Sequence, residues 1–154
     1  MKQHIRFFLS ISITINLLAI LSCNKTCQTG YENPNCSIET RAEFESLTYT
    51  ATESRNLDSA YSYPATIIPH PTDIRKVMLT NMANGVFAHN VVGSVVSDTL
   101  TIAYQSPDTN GHYIQGIGIL SSNLLNLNYV VTYTDSLPVI HLQTDVYQST
   151  WIHQ

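Results

Sequence analysis

Apolar and polar residues alternate along most of this chain, and the alternation limits the folds that it can adopt. Every second residue is apolar or aromatic in the runs Leu47/Tyr49/Ala51, Leu100/Ile102/Tyr104 and Leu125/Leu127/Tyr129/Val131/Tyr133, and in the shorter runs Val77/Leu79, Val86/Ala88 and Ile140/Leu142. A period of two is the pleat of a half-buried β-strand, whereas a helix repeats apolar residues every three or four positions. The sequence therefore predicts an all-β domain.

Turn-forming residues separate these runs at intervals of about 8–14 residues. They are Asn84-Gly85, Ser97-Asp98 and the stretches 107–111, 121–123 and 135–138. Such short connections join antiparallel strands, because parallel strands need longer crossovers that are usually helical. About eight antiparallel strands close into an up-and-down barrel without exposed edges. The residues predicted to face its interior include Leu100, Ile102, Leu125, Leu127, Ile140 and Leu142.

A short helix is predicted immediately before the first long strand. The segment from Ser37 to Phe44 offers a hydroxyl N-cap, early acidic residues and apolar residues at helical spacing. No other helix is expected in the domain.

The first 22 residues have the layout of a secretory signal peptide. Lys2 and Arg6 form a basic start, Phe7 to Leu21 are almost all apolar, and Ser22 precedes Cys23. An apolar run of about 15 residues falls short of the ~20 that cross a bilayer, so a permanent transmembrane anchor is the weaker interpretation.

The residues Ile20, Leu21, Ser22 and Cys23 resemble a bacterial lipobox. The resemblance implies that Cys23 carries diacylglycerol and becomes the mature N-terminus, which would hold the chain in a membrane. The alternative is an ordinary signal peptide with Cys23 as one more structural cysteine. Because residues 24–26 contain no acidic cluster of the kind that resembles a surface-export signal, we expect the periplasmic face of the outer membrane rather than the cell surface.

The three cysteines, Cys23, Cys27 and Cys36, would leave one free thiol if all were structural. If Cys23 is lipidated, no free thiol remains, because Cys27 and Cys36 can form a disulfide with each other. Such a disulfide stabilises the fold by about 2–3 kcal/mol. A metal site is less favoured, since two thiolates without a nearby histidine or third cysteine cannot complete a tetrahedral shell.

The run from Cys27 through Gly30-Tyr31 to Cys36 resembles the last loop of an epidermal-growth-factor-like (EGF-like) module. With the segments 39–44, 47–53 and 76–81 and the Gly116-Ile-Gly118 strand, the chain resembles a group of small Bacteroidetes cell-envelope lipoproteins. This resemblance implies residues 1–22 as signal peptide, 23–36 as a disulfide-stapled tether and 37–154 as a lipocalin-like barrel domain. It implies an architecture and a location but no activity.

The charge of the chain argues against nucleic acid as a partner. The whole chain has seven Lys and Arg against eleven Asp and Glu, and Lys2 and Arg6 lie in the predicted signal peptide. The rest is clearly acidic and has no basic cluster that could neutralise phosphates.

No pattern in the sequence indicates catalysis, a metal or a cofactor. His70, His89, His112, His141 and His153 never occur at metal-ligand spacing, and no serine lies in a Gly-x-Ser-x-Gly elbow. Gly116 and Gly118 lie within an alternating run with no helix after it, which favours close packing in a strand over a phosphate loop. We therefore expect a protein that is not an enzyme.

The remaining hypotheses concern binding. The tyrosines, among them Tyr49, Tyr63, Tyr129 and Tyr147, either fill the core or line a pocket. The chain is expected to be a binding or accessory module for a small amphiphilic ligand or another envelope protein, with a purely structural envelope lipoprotein as the alternative. A connected apolar cavity of about 300 Å³ or more inside the barrel would favour the ligand, and a filled interior would not. The sequence identifies no ligand-binding residue.

Overall fold

A computed structural model describes residues 26–32, 35–36, 38–135 and 141–154. Two short strands, β1 (Tyr31–Glu32) and β2 (Ile38–Glu39), precede eight long ones. These are β3 (Ser46–Arg55), β4 (Tyr61–Pro69), β5 (Lys76–Thr80), β6 (Val91–Val96), β7 (Thr99–Gln105), β8 (Tyr113–Ser121), β9 (Leu124–Asp135) and β10 (His141–His153).

The eight long strands form a closed antiparallel barrel in which each strand pairs with its neighbours in sequence. Closure comes from β10, which pairs with β3 from Tyr147↔Arg55 to His153↔Tyr49. Every edge of the sheet is thereby paired, as the alternation and turn signals predict. The predicted all-β, up-and-down architecture is confirmed.

Alternating burial along the strands produces one core inside the barrel. Leu100, Ile102, Leu125 and Leu127 are buried, as predicted, together with Trp151. Leu142, which we also expected inside, is 70% exposed. The inward residues of β10 are Asp145, Tyr147, Ser149 and Trp151. Because side chains alternate along a strand, Leu142 points outwards. Ile140 lies outside the described residues.

One local expectation from the sequence is wrong, and another is met only in part. The alternating pair Val86/Ala88 forms no strand but belongs to the connection between β5 and β6, which begins with a 3₁₀ helix at Met82–Asn84. The predicted short helix between Ser37 and Phe44 is present as a 3₁₀ helix at Thr40–Glu43, which is shorter than expected because Ile38–Glu39 are already paired as β2. Its N-cap is Glu39, without a side-chain capping bond, and Ser37 lies outside the described residues.

The Thr40–Glu43 turn closes one end of the barrel. Phe44, just after it, is fully buried, and its carbonyl accepts a 2.7 Å hydrogen bond from the Tyr49 hydroxyl. Arg41 donates 2.8 Å and 3.2 Å hydrogen bonds to the carbonyls of His70 and Asp73 in the β4–β5 connection. We call this end, which also holds the β6–β7 and β8–β9 turns, the closed end.

The predicted disulfide joins Cys27 and Cys36, whose Cα atoms are 5.2 Å apart. The segment around it packs on the closed end of the barrel: Gly30 lies against Ile74 and Arg75 of the β4–β5 connection, and its carbonyl accepts a bond from the Thr40 amide. The N-terminal segment therefore reaches the barrel at its closed end.

Gly116 and Gly118 allow β8 and β9 to approach closely inside the barrel. A Cβ atom on Gly116 would lie 2.5 Å from Cβ of Tyr129, and one on Gly118 would lie 2.9 Å from Leu125. The predicted role in close strand packing is confirmed, and the glycines make room for the large inward residues of β9.

The alternation on β9 predicts opposite outcomes for the same charge at adjacent positions. Leu127→Asp should bury an unpaired carboxylate, because Leu127 is fully buried, and should lower the free energy of unfolding by several kcal/mol. Asn128→Asp should change it by no more than about 0.5 kcal/mol, because Asn128 faces solvent. Thermal unfolding of both variants measures the difference in stability. Equal losses of stability would contradict the assignment of Leu127 to the interior and Asn128 to the outer surface.

Candidate functional site

A buried carboxylate lies at the centre of the most polar part of the barrel interior. Glu53 of β3 is completely buried and accepts hydrogen bonds from three tyrosine hydroxyls. Tyr61 donates at 2.8 Å to Oε1, Tyr63 donates at 2.9 Å to Oε2, and Tyr129 donates to the same Oε2. A buried carboxylate needs such donors, since leaving it unpaired would cost several kcal/mol. We call these four residues the Glu53 cluster.

The surroundings keep these hydroxyls protonated. Burial, followed by the hydrogen bond to Glu53 and its charge, raises the pKa of Tyr61 above its usual value. Burial and the Glu53 charge likewise raise the pKa of Tyr63, and burial, with the neighbouring Tyr63 and Glu53, raises that of Tyr129. The tyrosines therefore act as donors throughout the neutral range and offer no accessible base.

A second polar group lies at the rim of the barrel, next to the cluster. Arg55 forms a 2.6 Å ion pair with Asp145, which also accepts a 2.7 Å hydrogen bond from the Asn56 amide. The ring of Tyr147 stacks on Tyr129 with centroids 4.7 Å apart. Burial, opposed by the Arg55 charge, raises the pKa of Tyr147 to about 12. These contacts link β3, β9 and β10 where the barrel closes.

Large side chains occupy the barrel interior. Tyr49, Tyr63, Tyr129 and Tyr147 are all buried there, among aliphatic residues and Trp151. Tyr104 and Tyr113, by contrast, lie on the outer surface, where their rings stack with centroids 5.1 Å apart. Of the two interpretations of the tyrosines, core packing thus holds for the four buried ones.

The predicted site residues have different outcomes. Cys23, the predicted lipidation site, lies outside the described residues, while Cys27 and Cys36 form their disulfide. Among the described residues, no three His, Cys, Asp or Glu side chains group as metal ligands.

The histidines whose side chains are described lie at the barrel ends and rim. His89 pairs with Asp108 at 2.8 Å, linking the β5–β6 and β7–β8 connections. The ring of His112 packs against those of Phe87 and Tyr133. His70 lies in the β4–β5 connection, and the His153 ring packs on that of Tyr49. The side chain of His141 is not among those that the structure describes.

The outer surface of the barrel is almost free of charge, a feature that the sequence analysis missed. The outward positions of the described parts of β3 to β10 carry threonine, serine, asparagine, glutamine and apolar residues, and Lys76 is their only charged side chain. The other described charges lie inside the barrel, at its rim or in the connections at its two ends. Protein surfaces usually interleave charges of both signs, so this distribution is unusual.

Strands β7 to β10 combine this lack of charge with exposed apolar residues. We call the outward residues of these four strands the neutral wall. Asn126, Asn128, Gln115 and Gln148 contribute amides to it. The large exposed apolar side chains on it are Tyr104, Tyr113, Ile117, Ile119, Leu142, Val146 and Ile152.

A shallow groove of about 390 Å³ crosses the middle of the neutral wall. Ile117 on β8, Asn128 and Val130 on β9, and Val146 on β10 line it. Val130 pairs directly with Val146, and Asn128 pairs with Ile117, so the groove runs over three adjacent strands. This geometry can receive an apolar side chain of a partner.

Comparison of the chain with protein-family models, with curated proteins and with solved structures finds no match. Within the described ranges, no helix combines the length and the apolar character needed to cross a membrane.

The Glu53 cluster predicts that a neutral isostere is destabilising. Glu53→Gln removes the charge and turns an NH₂ group towards tyrosine donors, so the free energy of unfolding should fall by about 1–3 kcal/mol. Glu43→Gln, at an exposed carboxylate, is the matched control and should change it by less than about 0.5 kcal/mol. Chemical denaturation measures both, and equal stabilities of Glu53→Gln and Glu43→Gln would show that the charge of Glu53 does not contribute to folding.

Proposed function

We propose that this protein is a lipid-anchored lipoprotein of the bacterial cell envelope whose barrel binds another envelope protein through the neutral wall, without catalysis. The observation that carries the proposal is the wall itself, where exposed Ile117, Ile119 and Val146 lie among uncharged polar residues. Exposed apolar patches on soluble domains mark interaction sites, and the centres of protein interfaces are depleted in charge.

The large side chains inside the barrel support an external binding surface over an internal ligand. Tyr63, Tyr129, Leu127 and Trp151 occupy the space that a barrel with an internal ligand would leave open. A small amphiphile inside the barrel therefore has less support than a protein on its outside. A purely structural role would leave the exposed apolar residues of the wall without a purpose.

The anchor is supported by the lipobox resemblance at Ile20 to Cys23 and by the position of the first described residues. Because these residues pack on the closed end, a lipid on Cys23 would hold that end towards the membrane. The neutral wall would then face sideways, towards neighbouring envelope proteins. The outer membrane, on its periplasmic face, is the proposed location.

The anchor has a direct test. Cys23→Ser removes the only thiol available for lipidation at the predicted cleavage site, so incorporation of a labelled fatty acid and partitioning into detergent should both be lost. Cys27→Ser is the control and should retain the label. Labelling of the Cys23→Ser protein would contradict the anchor.

The wall is tested by cross-linking in intact cells. A photoreactive amino acid in place of Ile119 should give a discrete cross-linked protein band, because Ile119 lies on the neutral wall and is 44% exposed. The same amino acid in place of Ser62, which is exposed on β4, should give none. Absence of a band at position 119, in a chain that unfolds at the wild-type temperature, would refute binding through the wall.

A further inference from the structure

We infer that the partner of the neutral wall is a second copy of this chain, so that the protein is a two-fold symmetric dimer. The inference rests on the proposed function, because it names the envelope protein that the wall binds. In a dimer of this kind the same surface patch is used by both copies, and the patch must therefore complement itself. The chemistry, the charge distribution and the shape of the wall each meet that requirement.

The polar residues of the wall are complementary to themselves. Gln115, Asn126, Asn128 and Gln148 each carry both a hydrogen-bond donor and an acceptor, and so do the threonines beside them. Across a two-fold axis such groups can pair with their own kind. A charged group cannot do so, since it would meet an identical charge.

The charge distribution favours this wall as the place where two copies meet. The full chain has a formal net charge of −4, and removal of the predicted signal peptide with Lys2 and Arg6 makes the protein more negative, so identical copies repel one another in most orientations. The ends of the barrel concentrate the charges, with Arg41, Asp73 and Arg75 at the closed end and Asp58 and Asp108 at the other. Contact through the neutral wall keeps both sets of charges away from the interface.

The shape of the wall provides a reciprocal fit. Ile117 projects beside the groove that Asn128, Val130 and Val146 line. With a two-fold axis near this groove and parallel to the barrel axis, Ile117 of each copy enters the groove of the other. Two sheets then pack face to face at a separation of about 10 Å, as in β-sandwiches.

The same axis is compatible with two membrane anchors. An axis parallel to the barrel axis places both closed ends on one side of the dimer, and Cys23 precedes Thr26 by three residues. Three residues span at most about 11 Å, so both proposed lipids can reach one bilayer.

The size of the wall predicts a dimer that depends on the membrane. Four strands about 4.8 Å apart and about ten residues long on average present at most roughly 600 Å² per copy. The total is at the low end for stable interfaces, so the dimer should be weak in dilute solution. Confinement of both copies to one bilayer raises their effective concentration and favours dimerisation there.

The experiment uses the full-length chain in its native membranes. Ile117→Cys should give a disulfide-linked dimer on mild oxidation, because the two introduced thiols face each other near the axis, whereas Ser62→Cys should stay monomeric. Identification of the cross-linked species by mass spectrometry distinguishes the outcomes. A dimer of this chain supports the inference. A cross-link from Ile117→Cys to a different protein would overturn the inference but leave the proposed function standing, and no cross-link at all would overturn the inference.

A pair of opposite charges supplies the second test. Two differently tagged copies, both Ile117→Glu or both Ile117→Lys, should lose co-purification by at least about tenfold, because like charges then meet at the axis. One Ile117→Glu copy with one Ile117→Lys copy should recover it. Matched Ser62→Glu copies should co-purify like wild type. If the like-charged pairs remain associated, or if the mixed pair fails to recover in folded protein, the symmetric contact is wrong.

Discussion

The pairing of β3 with β10 is the constraint on which the rest of the molecule depends. Seven residue pairs, from Tyr147↔Arg55 to His153↔Tyr49, join the two ends of the sheet and leave no long strand with a free edge. A slip by one residue would turn Glu53 and Trp151 towards solvent and Thr52 into the core. The Glu53 cluster opposes such a slip, because the carboxylate on β3 is bound by hydroxyls from β4 and β9. The ion pair of Arg55 with Asp145 strengthens the same seam from its rim.

The two faces of the closed barrel have different chemistry. The interior contains buried aromatic and aliphatic side chains together with the hydrogen-bonded carboxylate of Glu53, whereas Lys76 is the only charged side chain at the described outward positions of the long strands. Many soluble barrels rely on surface charge to prevent association. Here the charges lie at the ends, so the lateral surface is free to make contact with a neighbour while the ends retain solubility.

The sequence predicted the strands whose apolar residues alternate cleanly, such as β7 and β9, and the turns between them. It did not predict β4, because Pro64 and Pro69 interrupt a strand that pairing with β3 and β5 nevertheless maintains. Val86 and Ala88 alternate but follow Asn84 and Gly85, whose positive φ angles reverse the chain there. On β10 the inward residues include Asp145 and Ser149, so hydrophobicity alone assigned Leu142 to the wrong face. The sequence did not predict the Glu53 cluster either, because a glutamate among threonines is expected to be a surface residue. The neutral wall becomes visible only once the phase of each strand is known.

Lysine and arginine are confined to the first half of the chain. Lys76, on the outside of β5, is the last lysine or arginine in the sequence, so β6 to β10 and every connection among them contain neither. Proteases that cleave after basic side chains therefore find no site in the second half of the chain, whether it is folded or unfolded. Resistance of that half to trypsin-like digestion is a property of the sequence itself and does not depend on the stability of the barrel. Amine-reactive reagents are limited in the same way, because within that stretch no side chain offers them a primary amine.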